Sequence, residues 1–95
     1  MSQREGAETV ALQAVAWLAG NDDLLPVFLG ASGASLDDLR AGAAARDGAV
    51  LGAVLDFVMM DEAWLTAFCE AAGLDLEAPR RARQALPGGA EVNWT

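Results

Sequence analysis

The sequence predicts an all-α fold, an orthogonal bundle of five to six short helices, and three observations predict it. Apolar residues recur at helical spacing, no segment alternates with the period of a half-buried strand, and glycine, proline and capping residues cut the pattern into short pieces. Links this short between helices of unequal length do not suit a regular up-and-down bundle.

The stretch Gly48 to Gly73 is the one apolar enough to need burial on nearly every side. Wound on a helix, Val50, Leu51, Val54, Leu55, Phe57, Val58 and Met59 cover most of the circumference, with Gly52, Ala53 and Asp56 as gaps. This predicts a core helix. Asp56 interrupts the run well short of the roughly 20 apolar residues that a membrane span requires. Gly48 and Gly52 form a small-xxx-small pair suited to close helix packing. Asp61 can cap a following helix whose apolar face is Trp64, Leu65, Phe68, Cys69 and Ala72, and Gly73 supplies its stop.

The remaining elements follow in chain order. Val10, Ala14, Trp17 and Leu18 form a stripe on a first helix, Gly6 to Ala19. Asn21 is a candidate N-cap for a short helix, Asp22 to Leu29, in which Pro26 fits only within the first turn. Ser35 and Asp38 resemble a capping box, with aspartate replacing the usual glutamate, at the head of a third helix, Leu36 to about Ala45. Pro79 opens a last helix ending near Leu86. Trp17, Leu18, Leu76 and Leu86 are the expected covers of the core helix. Residues 1–95 are read as a single helical domain, with 1–6 and 88–95 as flexible or loosely docked tails.

Composition narrows the function. The hydrophobic share of 54% is high for a globular chain and rich in alanine, which argues against disorder outside the ends. All six basic residues are arginine, histidine is absent, and the formal charge is -8. Such a surface repels nucleic acid and anionic membranes. The lone cysteine can form no internal disulfide, and the charged N-terminal segment does not read as a secretory signal, so a cytoplasmic location is expected.

Catalytic chemistry finds little footing. The acidic pairs Asp22 and Asp23, Asp37 and Asp38, and Asp61 and Glu62 could suggest metal ligands or an acid/base site. Each pair also begins a predicted helix, where the helix dipole stabilises negative charge. Their spacing matches no EF-hand loop, and a carboxylate di-iron site calls for histidine that the chain lacks. Cys69 shares a face with Leu65 and Phe68, and no histidine is present to activate it. No phosphate loop, dinucleotide turn or nucleophile elbow occurs. No cofactor, no metal and no enzymatic activity are expected.

Two binding features stand out. The segment from Phe68 to Leu86 reads like a helix, a glycine turn and a second helix bearing Arg80, Arg81 and Arg83, an arrangement similar to a helix-turn-helix. From Glu77 onward two acids and three arginines sum to +1, and the preceding residues, twelve acids and three arginines, sum to -9. Three arginines give a weak nucleic-acid contact, and they can equally pair with acidic neighbours and hold the last helix on the bundle. Trp94 is either a cover for the bundle or an anchor for a partner. If the covers fall short, Phe57, Met59 and Met60 become an exposed apolar surface, which marks an interaction site.

The succession AWLAG, LLPVFLGASGAS, DDLR, VLDFVMMDEAWLTAFCEAAGL and AP followed by ALPGG resembles a bacterial family of small uncharacterised proteins, domain of unknown function family thirty-five seventy-two, from about Glu8 to Thr95. The resemblance implies a small bacterial cytoplasmic helical protein and carries over no site residue. The resulting expectation is a noncatalytic protein-interaction or regulatory module with an acidic helical surface. Its partner is another protein or a second copy, through Phe57, Met59, Met60 and Trp94. The alternative is a nucleic-acid-binding regulator using Arg80, Arg81 and Arg83.

Overall fold

The structure, a computed structural model, describes residues 3–86. The described residues form six helices and no strand: α1 (Gln3–Ala19), α2 (Leu25–Ser32), α3 (Leu36–Ala44), α4 (Gly48–Met59), α5 (Glu62–Ala72) and α6 (Ala78–Ala85). Helix α4 is the hub. Its Leu51, Val54, Leu55, Phe57 and Val58 are all buried, and α1, α2, α3, α5 and α6 each pack against it. Extents of 31 × 29 × 26 Å are nearly equal, so the six helices pack into one compact globule.

The helix boundaries are set by local chemistry. The Ser35 hydroxyl accepts a hydrogen bond from the Asp38 N–H at 3.0 Å, and the Asp38 carboxylate accepts one from the Ser35 N–H at 3.0 Å, so the capping box is closed with aspartate in it. Asp61 caps α5 by accepting from the N–H groups of Ala63 and Trp64. Asp47 caps α4 by accepting from the Ala49 N–H at 2.9 Å. At the end of α5, Gly73 takes a left-handed conformation, φ 71°, and the Leu74 N–H reaches back to the Cys69 carbonyl. The end of α3 makes the same type of turn without glycine: Arg46 has φ 54°, and the Asp47 N–H bonds the Gly42 carbonyl at 2.8 Å.

Two boundaries differ from expectation. Helix α1 starts at Gln3 and not Gly6, since its first turn is held by the Arg4–Glu8 ion pair rather than by an apolar stripe. Helix α2 starts at Leu25 and not Asp22: the Asn21 side chain accepts from the N–H groups of Asp23 and Leu24, and the turn it closes precedes the helix. The tail expected over 88–95 lies outside the described residues.

The covers are mostly as expected. Leu18 and Leu86 are buried, and Trp17 packs on Phe68 of α5 with ring centroids 5.8 Å apart. Leu76 is not a cover: it sits in the turn before α6 and is 50% exposed. Close approach of α3 to α4 depends on Gly42, where an added Cβ would lie 2.5 Å from a Val50 methyl. Of the expected glycine pair in α4, Gly52 is the position where a neighbouring side chain, that of Arg83, lies flat against the helix.

Candidate functional site

The expected apolar surface around the α4–α5 corner resolves into separate environments. Phe57 is 5% exposed, sealed by an edge-on contact with Phe28 of α2 at 5.3 Å and by stacking on Trp64 of α5 at 4.8 Å. It is a core residue, a correction to its expected role at a surface: α2, whose position no local sequence signal gave, covers it. Met59 is half-buried against the core. Met60, the residue that ends α4, is 75% exposed. Trp94 lies outside the described residues.

The three arginines of α6 are each engaged by a carboxylate. Arg80 pairs with Glu77 one turn earlier. The Arg81 guanidinium donates to both oxygens of Asp75, at 3.1 and 3.3 Å. Arg83 crosses α4 over Gly52 and donates to Asp56 at 2.9 Å. They therefore fasten α6 to its own turn and to α4. Arg81 and two backbone N–H groups hold the Asp75 carboxyl below the usual carboxylate range, the Arg81 hydrogen bond being the largest cause.

Cys69 is buried, and burial pushes its thiol up, with the charge of Asp75 adding to the shift. Its S–H donates to the Asp75 carbonyl at 3.5 Å, so the sulfur helps tie the α5–α6 turn. Among the described residues no three His, Cys, Asp or Glu side chains are grouped so as to hold a metal ion. Two of the acidic pairs stand at helix starts, Asp37 and Asp38 in the first turn of α3 and Asp61 and Glu62 opening α5, whereas Asp22 and Asp23 lie in the turn before α2. A groove of about 490 Å³ runs along the junction of α1 and α6, walled by Gly6, Ala7, Val10, Ala82 and Ala85. Its one charged wall residue, Arg81, is already held by Asp75.

One carboxylate is nearly enclosed. Glu8 of α1 accepts from Arg4 at 2.9 Å and from Arg46, 38 residues away, at 3.4 Å. The Arg4 hydrogen bond is the larger cause holding its carboxyl low, against the opposing effect of burial. Glu8 thus ties the start of α1 to the left-handed turn after α3.

The surface feature that sequence reading missed is α2. Its buried side carries Phe28, while Pro26, Val27, Gly30 and Ala31 point outward at helical spacing, with Val27 48% exposed. Every other described helix has a charged side chain on its outward face; α2 has none. The signal was present in the sequence as an uncharged run from Leu24 to Ser35.

A family model for a protein of unknown function, DUF3572, matches residues 4–89. The chain belongs to the DUF3572 family. The match takes in all six helices of this DUF3572 chain, the α2 face and the α6 arginines included. No curated protein and no solved structure matches it. None of the described helices of this DUF3572 protein is long and apolar enough to cross a membrane.

Proposed function

We propose that this protein is a noncatalytic interaction module of the bacterial cytoplasm, a helical scaffold that offers another protein an acidic surface with one uncharged face. The observation that carries this reading is the outward side of α2, apolar across Pro26, Val27, Gly30 and Ala31 on a chain of formal charge -8. An apolar face kept solvent-exposed on so charged a molecule is a typical mark of an interaction site. The inert setting of Cys69, buried and with its thiol raised, supports a noncatalytic role.

Native mass spectrometry of the protein isolated from its own host tests this. The expected result is a recurrent complex with a second polypeptide; repeated recovery of the bare chain alone overturns the reading. The nucleic-acid alternative requires Arg80, Arg81 and Arg83 to exchange Glu77, Asp75 and Asp56 for phosphates. A duplex titration at low salt, where phosphate contacts are strongest, is expected to show no binding, and saturable binding there would restore that alternative.

A further inference from the structure

Resting on the interaction-module reading, we infer that the outward face of α2 is the docking site, and that its partner is a protein segment presenting apolar side chains flanked by arginine or lysine. Charge decides the partner. The residues bordering α2, from Asn21 to Leu39, hold Asp22, Asp23, Asp37 and Asp38 and no arginine, which is four acids against no base, or -4 of the formal -8. Asp22 and Asp23 stand just before the helix and Asp37 and Asp38 at the head of the next, so acid flanks the apolar face at both ends. None of the four is in an ion pair among the described residues, whereas Glu8, Asp56, Asp75 and Glu77 all are. Arg40, one turn into α3, is the nearest base in sequence.

An apolar centre with a rim of carboxylates that join no ion pair among the described residues matches a segment of opposite design, in which apolar contact supplies burial and cations supply orientation and encounter rate. A second copy of this chain does not have it. Each copy carries the same net charge, and the three arginines of α6 are already matched by Asp56, Asp75 and Glu77. An anionic lipid surface and nucleic acid are repelled by the same rim. At eight residues α2 is about 12 Å long, which accommodates two turns of a partner helix and sets the contact in the small, transient class.

The test uses the full chain labelled with 15N. The probe is a synthetic amphipathic peptide of roughly four turns, with leucine at i, i+3, i+4 and i+7 and lysine elsewhere, beside a counterpart with glutamate replacing lysine. Amide shifts from the lysine peptide are expected to concentrate between Leu24 and Asp38, with affinity falling about tenfold or more from about 20 mM to 300 mM NaCl. Val27→Asp is expected to abolish those shifts. The triple change Asp22→Asn, Asp23→Asn and Asp37→Asn, which leaves the apolar face and the Ser35–Asp38 cap intact, is expected to weaken the salt dependence. Shifts centred on another helix, equal binding of the glutamate peptide, or binding of phosphatidylcholine vesicles in its place would each overturn the inference. The two readings fail separately: a natural partner that still binds the Val27→Asp variant sinks the α2 site and leaves the module reading standing.

Discussion

Glu8 shows at the scale of one residue how this acidic chain uses its few cations. Arg4 and Arg46 both donate to it, and the resulting low carboxyl pKa makes the contact a source of pH-dependent stability. Because the folded value lies below the ordinary glutamate value of about 4.3, the contribution is complete above that pH and is lost as pH falls through the folded value. Denaturation of wild type and Glu8→Gln across the acid range isolates it from the other carboxylates. The wild type is expected to be the more stable at neutral pH, and the difference should shrink on acidification below about pH 4.3. A difference that stays constant across the range would show that Glu8 acts by packing and not by charge. Phe57 and Met60, three positions apart, make the opposite comparison. Phe57→Ala removes a ring enclosed by Phe28 and Trp64 and is expected to cost about 3–5 kcal/mol. Met60→Asp changes a side chain that is 75% exposed and is expected to stay within about 0.5 kcal/mol of wild type in urea denaturation.

Among elements, what was legible in the sequence is what local chemistry decides. The Ser35–Asp38 box, the Asp61 cap and the Gly73 stop each require only residues within a few positions, and each stands where the sequence put it. The face of α5 was legible for the same reason, as a periodicity. Contacts between distant segments were not: nothing near Phe57 announces that α2 will cover it, and nothing near Glu8 announces Arg46. Leu76 was misread because a leucine just before a helix looks like a cover, whereas the Asp75 turn that holds Arg81 leaves it exposed. The two buried glycines extend the point. Gly42→Ala and Gly52→Ala carry the same helix-propensity gain of about 1 kcal/mol. At Gly42 the new Cβ meets the Cβ and both methyls of Val50 within 2.7 Å, atoms close to the backbone that cannot swing away. Overpacking of this type costs about 1–3 kcal/mol, so net destabilisation is expected. At Gly52 the obstacle is the Arg83 guanidinium, 2.9 Å off at the end of a flexible chain, whose pairing with exposed Asp56 is worth about 0–1 kcal/mol. Gly52→Ala is therefore expected to leave the urea midpoint unchanged or raised, and a loss there equal to that of Gly42→Ala would show that Arg83 is locked in place.

For the whole molecule, the balance between ion pairs and self-repulsion is decided by number and range. Five ion pairs join described residues, and four of the fourteen acids account for their carboxylates. The α2-rim carboxylates Asp22, Asp23, Asp37 and Asp38 are in none of those five pairs, and the formal charge of the chain is -8. At about 10 mM ionic strength the screening length is about 30 Å, comparable to the 31 × 29 × 26 Å extents, so each such carboxylate is repelled by those on the far side. At about 150 mM it falls to about 8 Å, and only neighbours interact. Salt also weakens the ion pairs, but Arg80–Glu77 and Arg81–Asp75 are exposed pairs of small value at any ionic strength. Repulsion acts at longer range than the pairs and is the part that salt screens most, so its relief is expected to win. The thermal midpoint is expected to rise between these two salt concentrations by a few degrees, the shift that about 1 kcal/mol gives a chain of this size. The triple asparagine variant of the α2 rim should start higher and rise less, since three of the uncompensated charges are gone. A midpoint that falls with added salt would mean that the ion pairs outweigh the repulsion of the rest.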